Sequence, residues 1–203
     1  MEGEIFRKST KSGTKNSKIP RPSNSQYGHK DIKATLEGMS FHKCFYCESD
    51  LKTHKPEIDH FMEVSEDRTL AFEWTNLYLS CDNCNDKQPN KSISITDVLD
   101  PCKDSDKEIL KHISFNDEII IVKDGSQIGL KTIQKYKLDS KELDYRRFVQ
   151  RKFFVDQLLI IKNNQIKEGR KGMTQKEIDK LNQFKQSNRP FSLMFKILLE
   201  KYL

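Results

Sequence analysis

Long apolar stretches are missing from this 203-residue sequence. Nowhere do about 18 apolar residues follow one another, and the first eight residues, MEGEIFRK, lack the apolar core of a secretory signal. We therefore expect a cytoplasmic protein with no membrane partner. Apolar residues are also few overall, at 35% beside 33% charged residues, with a mean hydropathy of -0.77. This balance predicts folded regions and a mobile N-terminal arm.

Charge is distributed unevenly along the chain. The formal net charge is +6, with +5 on residues 1–30, -7 on residues 31–140 and +8 on residues 141–203. An acidic centre between basic flanks favours a site that concentrates cations within surroundings that attract phosphates. A merely solvated helical face explains the C-terminal lysines equally well.

Four of the five cysteines form two matched pairs. Cys44 and Cys47 make one C-x-x-C pair, Cys81 and Cys84 make the other, and 33 residues separate the pairs. In a reducing compartment cysteines stay thiols or bind metal, and two such pairs supply the four thiolates of a closed tetrahedral zinc site. Redox-active or simply buried cysteines are the competing interpretation. We do not count the isolated Cys102 as a ligand.

Apolar periodicity and turn residues predict a mixed chain of short strands and helices. The first half is predicted to hold a helix at 30–39, strands at 57–61 and 77–80, and the first turn of a helix at 82–87. The second half is predicted to hold a hairpin that turns at Asn116-Asp117 between 113–115 and 118–122, and then only helices. These are a brief helix at 128–136, a long one to about residue 163, a third at the Thr174 and Glu177 capping box, and a terminal one at 191–203.

The two longest C-terminal helices hold most of the apolar residues of that half. The long helix begins after a cap at Asp139 or Ser140, and we expect its apolar stripe to face the core. The stripe consists of Leu143, Phe148, Val149, Phe153, Leu158 and Ile161. The terminal helix either packs on this stripe as ordinary core or leaves part of its face for a partner protein.

An Asp-His dipeptide and two asparagines lie in the segment that the cysteines bracket. A zinc ion with four protein ligands cannot activate water, so hydrolysis needs a second site. The Asp59 carboxylate and the Asn85 amide carbonyl suit a hard divalent cation such as Mg²⁺. His60 can take a proton from an attacking water while Asn76 fixes its ring orientation. The plainer alternatives are a structural Asp-His pair and an Asn85 that only caps a helix.

Together these motifs resemble the zinc-containing HNH endonucleases, which cut phosphodiester bonds with a ββα-metal fold. The shared order is C-x-x-C, Asp-His, Asn-Leu and C-x-x-C-Asn-x-Lys. The segments FYCE, IDHF, EWTNL and CDNCN are similar more narrowly to the nuclease subunit (PtuB) of Septu-type anti-phage systems and to the related nuclease of some retrons. The likeness covers about residues 40 to 150, without the first 30 and the last 40 residues.

The resemblance implies an α+β fold in which a zinc-stapled ββα-metal core is followed by a small hairpin and a helical C-terminal region. A basic N-terminal arm would cover residues 1–30. The zinc-containing nuclease core would cover residues 31–100, and the hairpin and basic helices would cover residues 101–203. Zn²⁺ would serve the structure, and Mg²⁺ or another divalent cation would serve catalysis.

The resemblance also assigns roles by position. It implies that His60 is the general base, that Asn76 orients it, and that Asp59 and Asn85 bind the catalytic metal. Lys87 would contact the substrate phosphate. The pattern departs from the family after Phe61, where a proline and a basic residue are expected but residues 62–67, MEVSED, are acidic. That departure weakens the expectation that the chain binds DNA unaided.

The function implied is a divalent-metal-dependent endonuclease that acts on nucleic acid, with DNA as the favoured substrate. An ATPase subunit of the same anti-phage defence system is the implied partner. Two alternatives stay open. One is a catalytically silent, zinc-stabilised module that binds nucleic acid or protein, and the other is a stand-alone, restriction-like endonuclease.

Overall fold

Short strands and helices alternate through the chain. The computed structural model describes residues 28–52, 55–87 and 92–202, together with Ile19, Ser23 and Gln26. The predicted N-terminal arm at 1–30 thus lies almost wholly outside the described residues. The described part forms four strands in two separate antiparallel pairs and seven helices, which confirms the α+β class. None of these helices combines the length and the apolar character that a bilayer crossing requires.

Most of the predicted helices and strands are confirmed. The order is α1 (Lys30–Met39), β1 (Glu57–His60), β2 (Leu77–Ser80), α2 (Asp82–Asn85), α3 (Asp106–His112), β3 (Ile113–Asn116), β4 (Ile119–Val122), α4 (Gln127–Lys135), α5 (Lys141–Lys167), α6 (Gln175–Asn182) and α7 (Ser192–Leu199).

The first hairpin and the helix after it make the ββα unit. Strands β1 and β2 pair antiparallel, with Asp59 opposite Tyr78 and His60 opposite Leu77. All four β2 residues are buried, so this strand lies in the core. In β1 the first residue is exposed and the last two are buried. Cys81 then caps α2, so the second cysteine pair follows directly from the buried strand.

The second hairpin turns one residue later than predicted. Asn116 pairs with Ile119, so the two turn residues are Asp117 and Glu118 and not Asn116 and Asp117. Asp117 adopts a positive φ of 54°, a conformation that aspartate tolerates better than most residues. Ile113 and Ile120 are buried while Ile119 and Ile121 are exposed. We infer that this register prevails because a one-residue slip would exchange the two faces.

Two apolar clusters lie along the chain. The first joins the cysteine turns, β2, the second hairpin, α4 and the start of α5, from Leu36 to Leu143. The second joins the later part of α5 to α6 and α7, and is built on Phe154, Leu181 and Phe195. Helix α7 therefore packs as core, with Met194 and Leu198 almost completely buried.

The predicted apolar stripe of α5 is wrong in part. The buried residues of this helix are Leu143, Arg147, Phe154, Ile161 and Gln165, and Phe148 and Phe153 are exposed. Each of those two phenylalanines is one residue from a buried position and is therefore turned about 100° away from it. The helix also runs to Lys167, past the predicted end near residue 163. It ends there because Gly169, at a φ of 63°, closes a Schellman turn in which Arg170 N donates to Gln165 O at 2.9 Å.

One carboxylate ties the first cysteine turn to α7. Glu48 accepts a hydrogen bond from Ser192 Oγ at 2.5 Å and from Leu193 N at 2.9 Å, at the N-terminus of that helix. Lys43 Nζ lies 2.9 Å from the same carboxylate and donates to Arg189 O at 3.1 Å. The helix dipole favours a negative charge at this end. Glu48 thereby links the two apolar clusters, and Phe115 packs against both of them.

Replacing Glu48 by alanine is expected to destabilise the protein by about 2 kcal/mol, because two hydrogen bonds to a charged group are lost and Lys43 loses its counter-charge. Thermal unfolding followed by circular dichroism should show a fall in Tm of about 4–8 °C. Glu73→Ala removes an exposed carboxylate without a capping hydrogen bond and should change Tm little. Equal Tm values for the two variants would show that the Glu48 contact does not stabilise the fold.

Candidate active site

Four buried thiols meet between the two C-x-x-C turns. The Sγ atoms of Cys44, Cys47, Cys81 and Cys84 all lie within 4.8 Å of one another, and Cys47 Sγ is 3.8 Å from Cys81 Sγ. Zinc–sulfur bonds of about 2.3 Å in a tetrahedron place neighbouring sulfurs about 3.8 Å apart. The cluster therefore fits a closed zinc site. Cys102 is exposed and lies outside it.

Burial makes this cluster dependent on a cation. All four thiols are buried, and burial raises the pKa of Cys44 and Cys84. Four thiolates so close together in an apolar environment need a divalent cation to balance their charge. Zinc bound here would have all four positions filled by protein and would hold the turns together without activating water.

Backbone hydrogen bonds attach the cluster to the hairpin. Phe45 N donates to Leu79 O at 2.9 Å, which joins the first cysteine turn to the buried strand β2. The same strand leads into Cys81. A metal ion held by both pairs would therefore fix the distance between the first turn and the start of α2.

Asp59 lies on β1 in a buried ion pair. Its Oδ2 atom accepts a hydrogen bond from the Tyr46 hydroxyl at 2.6 Å and lies 2.6 Å from Lys87 Nζ. Burial raises the pKa of Asp59, and the Lys87 ammonium and the Tyr46 hydroxyl oppose that rise. Tyr46 stands between the two cysteines of the first pair. The thiol cluster and Asp59 are thus connected by one short turn.

Lys87 is buried and does not lie at the surface. Its Nζ also donates to the His60 carbonyl oxygen at 3.0 Å, and it lies 5.5 Å and 5.7 Å from the ring centres of Tyr46 and Tyr136. The two rings stack on each other, with their centres 4.1 Å apart. The substrate contact that the resemblance implies for Lys87 requires this arrangement to open.

His60 is oriented by the loop between β1 and β2. Its Nε2 lies 2.9 Å from the carbonyl oxygen of Ala71. A neutral imidazole that donates a proton to this carbonyl keeps Nδ1 as its basic nitrogen, a tautomer inferred from the acceptor. The role of His60 as proton acceptor stays a prediction, and in this tautomer it would fall to Nδ1.

Asn76 forms hydrogen bonds with that loop and influences His60 indirectly, through the loop backbone. The buried Asn76 side chain accepts from Met62 N at 2.6 Å and donates to Met62 O at 3.0 Å and to Leu70 O at 3.1 Å. Leu70 precedes Ala71, whose carbonyl contacts the His60 ring. The predicted orienting role of Asn76 is consistent with this indirect route.

Asn85 contacts a carboxylate that sequence reasoning did not single out. Its Nδ2 donates to Glu57 Oε2, whereas the hydrogen bonds of Asp59 go to Tyr46 and Lys87. The structure thus gives Asp59 and Asn85 different partners. Glu57 and Asp59 are two residues apart on β1, so their side chains leave the same face of the strand. That alternation on a predicted strand was the available signal for Glu57.

Residues 44–91 match the HNH endonuclease family. The Septu protein PtuB of Bacillus mycoides (strain KBAB4) is 31% identical over 166 residues, which cover 66% of this chain and 54% of that protein. The Septu protein PtuB of Bacillus thuringiensis is 31% identical over 94 residues, which cover 45% of this chain and 37% of that protein. The chain spans about half the length, or less, of these relatives. These matches confirm the resemblance indicated by the motifs.

Proposed function

We propose that this chain, whose residues 44–91 carry an HNH endonuclease domain, hydrolyses phosphodiester bonds of nucleic acid, and of DNA in particular, with the help of a divalent cation. The observation that carries the proposal is the placement of His60. Its Nε2 is held by a backbone carbonyl, and its strand pairs with β2, which leads directly into the helix that bears Asn85.

Each polar residue has a role in this proposal. His60 Nδ1 takes a proton from the attacking water. Asp59 and Asn85 supply oxygen ligands for Mg²⁺ or another hard cation, and Glu57 orients the Asn85 amide. The bound cation would polarise the phosphate and stabilise the leaving 3'-oxygen, giving 5'-phosphate and 3'-hydroxyl ends. Lys87 would leave the Asp59 carboxylate and approach the substrate phosphate.

Two carboxylates of the acidic segment after Phe61 make contacts within the protein. Glu63 lies 3.0 Å from the Nζ atom of the buried Lys135. Asp67 accepts from Thr69 N at 2.9 Å and caps a short 3₁₀ helix at Arg68–Leu70. These two carboxylates therefore serve local structure, so the departure from the family pattern is not by itself an argument against nucleic-acid binding.

The names of the two relatives suggest a biological setting for the proposed activity. A chain similar to Septu protein PtuB is proposed to be the effector nuclease of an anti-phage defence system in which an ATPase subunit restrains or recruits it. The basic residues of the C-terminal region would supply phosphate contacts, so binding should weaken steeply with salt.

The direct test is cleavage of supercoiled plasmid, circular single-stranded DNA and structured RNA by the purified chain, alone and with its co-encoded ATPase. Cutting that requires Mg²⁺ and stops with EDTA is expected. Ligation of the products without kinase treatment would identify 5'-phosphate ends. Nucleic-acid binding without cutting under every condition would favour the catalytically silent module instead.

Glu57→Gln should raise the Mg²⁺ concentration for half-maximal cleavage about 10-fold, equivalent to about 1.4 kcal/mol, because the carboxylate that orients Asn85 loses its charge. Asn85→Ala should have a larger effect on the same measurement. Glu73→Gln, in the loop between β1 and β2, is the matched control and should leave the Mg²⁺ dependence unchanged. An unchanged Mg²⁺ dependence in Glu57→Gln would remove Glu57 from the site.

A further inference from the structure

The long helix α5 exposes large apolar side chains on the side away from the core. Tyr145 is 67% exposed, Phe148 42%, Leu159 56% and Ile166 70%. Single exposed apolar residues are ordinary, but four on one side of one helix form a feature that needs an explanation. The opposite side already supplies the core through residues such as Leu143, Phe154 and Ile161.

These residues follow the spacing of a coiled-coil interface. Intervals of three and four residues alternate without interruption over three heptads, as the a and d positions of a coiled coil do. The positions, called here the α5 seam, are Tyr145, Phe148, Lys152, Val155, Leu159, Lys162 and Ile166. Five of the seven are apolar, and the half-buried Val155 also packs against the second apolar cluster. The seam is about 33 Å long, which is enough for one partner helix.

We propose that the α5 seam docks an amphipathic helix of a partner protein, with carboxylates on that helix facing Lys152 and Lys162. The charge of α5 supports an acidic partner, because the helix has seven basic and three acidic side chains. Lys152 Nζ lies 3.1 Å from Asp156, but the two side chains are 66% and 47% exposed, so this pair is weak and can exchange for a partner's carboxylate.

The two seam lysines argue against a second copy of this chain. In a parallel pair in register, Lys152 would meet its own equivalent and so would Lys162. In the antiparallel register that pairs Phe148 of one copy with Ile166 of the other, Lys152 of one copy would meet Lys162 of the other. Both arrangements place like charges within the interface. The N-terminal 18 residues of this chain are also net basic and do not complement the seam.

A membrane surface fits the seam less well than a helix does. An interfacial helix presents a broad apolar face, whereas the seam is a narrow line of a and d positions interrupted by lysine. The proposal extends the partner part of the proposed function. Its test measures binding alone, so it can fail while the nuclease assignment stands.

The probe is a labelled synthetic helix of four heptads with leucine and isoleucine at a and d and glutamate opposite the two lysines. Fluorescence anisotropy should show binding to the full chain. Leu159→Glu combined with Ile166→Glu should weaken binding at least about 10-fold, because both side chains are exposed in the free protein and buried in the complex. Phe72→Glu alters an equally exposed apolar residue outside the seam and should bind like wild type.

Exchanging the charges of the seam and of the probe tests whether the two seam lysines select an acidic partner. Lys152→Glu combined with Lys162→Glu should lose the acidic probe and gain a probe with lysine in place of glutamate. Equal binding of both probes to wild type, or no binding of either, would overturn the proposal. Dimers of the free chain that Leu159→Glu dissociates would assign the seam to a second copy instead. Stronger capture by vesicles of phosphatidylcholine and phosphatidylserine than by the acidic probe would assign it to a membrane surface.

Discussion

His60→Ala is expected to reduce phosphodiester cleavage by about 10²–10⁴-fold, the usual contribution of a positioned general base. The expectation follows from the geometry of the ring, whose Nε2 is held by the Ala71 carbonyl while Nδ1 is left as the basic nitrogen. The measurement is the single-turnover cleavage rate at saturating Mg²⁺, which separates chemistry from product release. Binding of nucleic acid should change little, because the variant removes a proton acceptor and not a phosphate contact.

Asn76→Ala provides the matched positioning variant. It removes three hydrogen bonds that shape the loop carrying Ala71, but it leaves the imidazole in place. The cleavage rate should fall by less than in His60→Ala, because the base is still present but its orientation is less well fixed. Tm must be measured for both variants, because each loses buried hydrogen bonds. A folded His60→Ala variant that cuts at the wild-type rate would show that the base lies elsewhere.

Cys81→Ser is expected to abolish zinc retention and to lower Tm by more than 10 °C. Binding of zinc to structural sites is worth about 10–16 kcal/mol in small zinc-finger peptides, which is comparable to the whole stability of a domain. The elements that carry the site are short, since β1, β2 and α2 have four residues each, so their positions depend on the metal as well as on the first apolar cluster. The measurements are metal content by mass spectrometry and thermal unfolding by circular dichroism. A chelator added to wild type should reproduce the variant.

Cys102→Ser is the matched control for the metal site. This cysteine is exposed and lies outside the four-thiol cluster, so its loss should leave zinc content and Tm unchanged. If Cys81→Ser keeps one zinc per chain at the wild-type Tm, the cluster is not the structural site. Loss of zinc from Cys102→Ser would assign a ligand that the geometry does not support.

Much of the segment that matches the HNH endonuclease family could be predicted because its signals are local. The two C-x-x-C pairs, the strands at β1 and β2 and the start of α2 all lie where spacing and residue type place them. The capping box of Thr174 and Glu177 is confirmed for the same reason, since each hydrogen bond joins residues three apart. Signals of this range depend little on the rest of the chain.

The roles of side chains at the site were less predictable, because they depend on contacts between distant residues. Lys87 is far from Tyr46 in sequence, yet the first cysteine turn brings the Tyr46 ring beside its ammonium. Glu57 is exposed on a strand, and only the position of α2 makes it the partner of Asn85. The inward face of α5 was misplaced in part because Phe148 and Phe153 are as apolar as the residues that are buried.

The sequence by itself determined the two cysteine pairs and the order of the ββα elements, because ligand spacing and short-range periodicity specify them, and its motifs carried the resemblance to the HNH endonucleases. Only the tertiary structure decided which carboxylate pairs with Lys87, which carbonyl orients the His60 ring and which side of α5 is exposed to solvent. Those outcomes depend on how distant segments share one interior, where charges must be paired and apolar volume must be filled. No local pattern encodes that competition.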